Sequence, residues 1–122
     1  MPLAASAMPA GQNLIAALDE AVAAAEALFA DARRAVAGRV TVEGRPMARV
    51  FDREQRATHG LAWLATYVEA IRQLAAYAAR MIDTGNFGEI EDLVVRIGAG
   101  EYLAQIPVSY THLDVYKRQR AS

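Results

Sequence analysis

Cysteine is absent from the 122 residues, which excludes disulfide staples, thiolate nucleophiles and cysteine-ligated zinc, and agrees with a reducing cytoplasmic setting. No apolar run approaches the roughly 20 residues that a membrane-spanning helix needs. The N-terminus, Met1 to Gly11, has neither a basic segment nor an adequate apolar core, so no secretory signal is expected. Charge of one sign is lacking too: 13 basic residues against 14 acidic ones leave a formal net charge of -1, which offers no footprint for a nucleic-acid backbone. Outside the suspect C-terminal segment described below there is one histidine, His59. A metal site needs several converging ligands, for example a second histidine one helical turn away, so His59 is read as a polar-stripe or interface residue.

What the chain has in abundance is alanine, with Leu, Glu, Arg and Gln, between about 13 and 106. These side chains lose little rotamer freedom in a helix, so the expected class is all-α. Residues 1–12 hold two prolines, a glycine and small side chains, and are expected to form a disordered leader. From Asn13, read as an N-cap, the residues Leu14, Leu18, Val22, Ala25, Phe29, Ala32 and Val36 recur at spacings of three and four. That pattern predicts a helix over 13–39. The stretch Thr41 to Pro46, with Gly44 and two β-branched residues, predicts a connector.

A second helix is predicted over 48–83, ended by the turn chemistry of Asp83-Thr-Gly-Asn86. It carries two apolar stripes. One holds Leu61, Leu64, Val68, Ile71, Ala75, Ala78 and Ile82; the other holds Trp63, Tyr67, Ala70, Leu74, Tyr77 and Met81. Only the stripe of His59, Thr66, Glu69, Gln73, Arg80 and Asp83 is polar. So wide an arc implies burial on more than one side, beyond what two small partner helices readily supply. Trp63, Tyr67, Leu74 and Met81 are therefore the candidate packing surface toward another domain, since a large apolar patch usually marks an interaction site.

A third helix is predicted over 87–106, completing a three-helix antiparallel bundle, with Phe87, Ile90, Val94, Ile97 and Leu103 as packing positions. Asp92 and Arg96 form an exposed i,i+4 pair in this reading. Gly98 and Gly100 each cost a helix about 1 kcal/mol against alanine, which implies a bend or a close approach of neighbouring backbone. They lack the preceding strand and third glycine of a nucleotide fingerprint. Glu89, Glu91, Asp92 and Glu101 do not converge as a ligand set and read as a solvated face. After Ile106 the character changes: 107–122 is expected to be an irregular tail without helical period. Residues 107–119 resemble translated library-adapter sequence at the ends of reading frames from environmental DNA, which implies a non-native tail containing His112.

Two stretches, Glu54 to Leu74 and Gly85 to Ile106, resemble the N-terminal helical extension of a subgroup of acyl-CoA dehydrogenases, in particular the bacterial methylsuccinyl-CoA dehydrogenase type. The resemblance covers about residues 14 to 106. Its specificity rests on His59-Gly-Leu-Ala-Trp-Leu-Ala-Thr-Tyr-Val-Glu69 and Gly100-Glu-Tyr-Leu-Ala-Gln105. It implies a parent flavoenzyme that uses FAD and a catalytic glutamate to desaturate a short branched acyl-CoA and passes electrons to an electron-transfer flavoprotein. No residue of this chain matches the catalytic or flavin-binding segments of that family, so none is assigned a catalytic, cofactor-binding or metal role. The implied partner is the dehydrogenase core or a second subunit. A competing reading is an independent, non-catalytic helical module that buries its apolar surface by self-association or on another protein; a complete small enzyme fits the residue inventory least well.

Overall fold

The computed structural model describes residues 10–42, 45, 46, 49 and 54–121, with side chains described only in part at the edges of these ranges and not at 111–121. Three long helices dominate the described residues: α1 (Ala10–Val40), α2 (Gln55–Asp83) and α3 (Glu89–Ala121). In the connector, β1 (Thr41–Val42) and β2 (Arg45–Pro46) form a two-residue antiparallel ladder, Thr41 opposite Pro46 and Val42 opposite Arg45. The all-α reading stands. The start predicted for the second helix lies partly outside the described residues; the part described begins at Gln55, behind the fully buried Glu54. Most of the expected leader also lies outside them. Its last residues do not form a leader, because α1 already runs from Ala10 and contains Asn13, which is therefore not the N-cap. The earlier start is held by packing: a Cβ on Gly11 would meet Ile82 at 2.9 Å and Phe87 at 3.6 Å, so α1 begins tight against the far end of α2.

The bundle runs up, down, up, with α2 central. Near one end Gly11 of α1 faces Ile82, and midway Glu26 of α1 meets Arg72 of α2 at 3.6 Å, as antiparallel helices require. This half-exposed ion pair contributes well under about 1 kcal/mol, so burial holds the two helices together. Leu14, Leu18, Ala25, Ala32 and Val36 are buried, with Val22 and Phe29 half-buried beside them. Every position of the stripe expected for α1 thus faces inward. On α2, Leu64, Val68, Ile71, Ala75 and Ala78 are buried, while His59, Thr66, Glu69, Gln73, Arg80 and Asp83 are exposed.

The turn between α2 and α3 is built from backbone chemistry. Asn86 N donates to Met81 O at 2.8 Å and Gly85 N to Ile82 O at 3.1 Å, the paired bonds of a Schellman cap. Gly85 sits at φ 74°, a left-handed conformation that only glycine adopts without strain. Gly85→Ala is expected to destabilise the fold by about 1 to 2 kcal/mol, read as a lower urea midpoint with unchanged slope. An unchanged midpoint would show that the cap is not formed. At the start of α3, Gly88 N donates to the Glu91 side chain at 2.9 Å, the return half of a capping box. Glu89, Glu91 and Asp92 also place negative charge where the helix dipole favours it.

Helix α3 departs from expectation in two ways. Val95, Ala99 and Ile106 are buried and Tyr102 is half-buried, whereas Ile90, Val94, Ile97 and Leu103, four of the five expected packing positions, are exposed; only Phe87 packs inward. The helix is turned by about half a revolution from the expected phase. The reason is the fit to α2: a Cβ on Gly98 would lie 3.0 Å from Leu74 Cδ1, so the small residues Gly98 and Ala99 let α3 approach α2 closely. Nothing fills the space around Gly100.

Secondly, α3 does not end at Ile106 but continues through Pro107 to Ala121. The expected irregular tail is helical in its backbone. Proline inside a helix removes one hydrogen bond and crowds the preceding turn, a cost of about 3 kcal/mol. Continuing packing offsets it: Ile106 and Ser109 are buried, extending the stripe of Val95, Ala99 and Tyr102 by the same steps of three and four. Tyr110 Oη donates to Asp31 Oδ2 of α1 at 2.9 Å.

Candidate docking surface

The aromatic residues of the second α2 stripe form a ladder. The rings of Trp63 and Tyr67 stack at 5.8 Å with an interplanar angle of 26°, and Tyr67 meets Tyr102 of α3 at 6.0 Å. One turn before Trp63, the His59 ring lies edge-on at 6.0 Å, and its Nε2 accepts a 2.7 Å hydrogen bond from Trp63 Nε1. That bond requires the imidazole to carry its proton on Nδ1. Offset stacks and edge-to-face pairs of this kind are worth about 0.5 to 1.5 kcal/mol beyond area burial. Their spacing of four along α2 is what puts the three side chains in one row.

This row walls an open groove of about 840 Å³, whose opposite side is α3 at Gln105, Val108 and Ser109 and whose end is the first turn of α2 at Gln55, Arg56 and Thr58. The groove offers aromatic faces, an imidazole, amide groups and the Arg56 guanidinium. These are means of holding an apolar or planar surface, and no nucleophile paired with a base stands among its lining residues.

The four sequence-predicted residues are not equally available. Trp63 remains 47% exposed and Tyr67 is half-buried in the ladder. Leu74 is half-buried beneath Gly98, and Met81 is half-buried beside the turn into α3. Much of the wide apolar arc of α2 is therefore absorbed inside the chain, because α1 covers one stripe and α3 leans on the other. Two partner helices supply more cover than the sequence pattern suggested. The acidic residues have structural roles: Glu91 caps α3, and Asp92 takes a bidentate contact from Arg96 Nε at 3.0 and 2.9 Å, the expected i,i+4 pair. Among the described residues no group of three His, Cys, Asp or Glu could hold a metal ion.

The surplus apolar surface lies instead on α3. Ile90 and Ile97 are 70% exposed, Leu93 50% and Val94 52%. Their spacing of i, i+3, i+4 and i+7 makes one contiguous patch opposite the buried stripe. Hydrophobicity alone assigned Ile90, Val94 and Ile97 to the core; the signal that could have corrected it was Gly98, which marks the face that approaches a neighbour.

Among the described residues no helix is long and apolar enough to cross a membrane. No family model matches the chain, and no solved structure matches it. Among curated proteins it is similar to the (2S)-methylsuccinyl-CoA dehydrogenase of Cereibacter sphaeroides, 46% identical over an alignment of 103 residues that covers 81% of this chain. The chain spans 19% of that relative's length. The resemblance to a methylsuccinyl-CoA dehydrogenase, an acyl-CoA dehydrogenase, thus extends over most of the chain and over about a fifth of the relative.

Proposed function

We propose that this chain is a truncated N-terminal helical extension of an FAD-dependent acyl-CoA dehydrogenase, and that it serves docking, covering or assembly rather than chemistry. The observation that carries this reading is the asymmetry of the match, most of this chain against about a fifth of a (2S)-methylsuccinyl-CoA dehydrogenase. The parent in this proposal desaturates a short branched acyl-CoA in the cytoplasm. FAD and the catalytic glutamate belong to the part of the enzyme beyond this chain.

The described residues do not fit a flavin cradle. Gly98 and Gly100 lie inside α3, Gly98 against Leu74, rather than on the strand-to-helix turn that would bring backbone N–H groups to a pyrophosphate. What this chain supplies is shape and apolar surface. The Trp63 and Tyr67 end of the α2 stripe, with Leu74 and Met81 behind it, packs toward the dehydrogenase core or a second subunit and limits solvent access there. Residues 107–122 are read as a non-native addition, so of the groove only the α2 wall and Gln105 belong to the proposed docking end.

The test is made in a full-length parent carrying these residues. The double substitution Trp63→Ala and Tyr67→Ala removes the exposed end of the ladder, and the extension is expected to be cleaved several-fold faster in limited proteolysis while the remainder of the enzyme is cleaved as before. Unchanged cleavage and an unchanged oligomeric state would overturn docking through this end.

A further inference from the structure

Helix α3 is apolar on two opposite faces, and only one of them has a partner among the described residues. The inner face, Val95, Ala99 and Ile106, is buried against the bundle. The outer face, Ile90, Leu93, Val94 and Ile97, is half or more exposed at every position. Exposed aliphatic side chains scattered singly need no explanation, but these four lie within two turns as one contiguous apolar patch. Gly100 lies on the edge of the same face, one turn beyond Ile97, with nothing within 4 Å of where its Cβ would be. A glycine in a helix interior weakens it by about 1 kcal/mol, and no contact among the described residues accounts for it, whereas Gly98 has Leu74. An open glycine beside an apolar seam lets an outside backbone come close. Arg96, at the edge of the patch, is paired with Asp92, while Glu89 and Glu101 border it at either end.

We infer that the outer face of α3, centred on Ile90, Leu93, Val94 and Ile97, is the principal docking face of the chain, and that its occupant is an apolar surface of the remainder of the dehydrogenase polypeptide. This inference rests on the proposed function. Two observations select that occupant over a second copy. A two-turn helical patch offers a few hundred Å² at most, whereas a stable dimer needs about 800 Å² per partner. Such a patch suffices when the partner is joined to it covalently, because a tether supplies an effective concentration of order millimolar. The matched relative is long enough to provide that partner, since four-fifths of it has no counterpart here.

The absence of cysteine makes the test direct, since an introduced thiol is the only one in this segment. Ile97→Cys and, separately, Trp63→Cys are placed in the full-length enzyme carrying this sequence and in the 122-residue chain alone. Alkylation by iodoacetamide is followed at each position by peptide mass analysis. The expected result is that Ile97→Cys reacts about tenfold more slowly in the full-length enzyme than in the isolated chain, tenfold corresponding to about 1.4 kcal/mol of contact. Protection at Trp63→Cys but not at Ile97→Cys would leave the proposed function standing and overturn the assignment to α3. Protection at neither position would overturn both. Protection of Ile97→Cys in the isolated chain that grows with its concentration would identify a second copy as the occupant and overturn the inference.

Discussion

Val95→Asp is expected to abolish the cooperative unfolding of the chain, while Val94→Asp, the preceding residue, changes stability by less than about 1 kcal/mol. Val95 is fully buried among Leu14, Leu18, Ala75, Ala78 and Ala99, where α1, α2 and α3 meet. A carboxylate there either stays charged in an apolar surround or takes up a proton and still lacks partners; both cost several kcal/mol. A small domain has only about 5 to 15 kcal/mol in total. Val94 points the other way, toward solvent, and a carboxylate there keeps its water. Thermal melts of both variants followed by helical circular dichroism check this. A destabilised Val94→Asp beside an intact Val95→Asp would mean that α3 is turned by about one residue's rotation, roughly 100°, and that the exposed patch has been assigned to the wrong face.

The second large effect is expected at Leu64. Its side chain is fully buried at the centre of the cluster formed by Ala25, Ala32, Val36, Ala57, Val68, Ile71 and Ile106, so it joins all three helices. Leu64→Ala removes three carbons, Cγ and its two methyl groups, from a fully buried position and leaves a cavity there. The loss is expected to be about 2 to 5 kcal/mol. Leu93→Ala, with the same atoms removed from a half-exposed position on α3, is expected to cost less than about 1 kcal/mol. Urea midpoints of the two variants, measured with equal slopes, give the comparison. Similar losses at both positions would show that the outer face of α3 is already covered in the isolated chain.

The stripe of α1 was legible in the sequence because it has one apolar face and one polar face, so periodicity has a single solution. The same holds for the buried stripe of α2, where exposed polar residues from His59 to Asp83 mark the opposite side. In α3 periodicity has two solutions about half a turn apart. Counting apolar residues favoured the larger side chains of Ile90, Val94 and Ile97 as core. Close approach decided otherwise, because α2 offers Leu74 and Tyr67, and the complementary surface is the flatter one of Gly98, Ala99 and Tyr102. The glycine rule pointed to this contact, although a side chain and not a backbone fills the space.

The end at Ile106 was read from the change of character after it, a segment without alanine over 107–119 and without helical period. The contacts that carry the helix past it, such as Tyr110 to Asp31, are between residues far apart in sequence. Of the candidate docking residues, Trp63 and Tyr67 were readable from their spacing. Their stacking partner Tyr102 was not, since it belongs to another helix.

The central claim, that these helices are one part of a longer dehydrogenase, is tested most directly by a long sequencing read of the source DNA across the codon for Ile106. The account predicts a reading frame that departs from Pro107 onward and continues into an acyl-CoA dehydrogenase core with flavin-binding segments and a catalytic glutamate. A frame that runs through Pro107 to Ser122 and stops there would contradict it, and would make the chain a self-contained helical module.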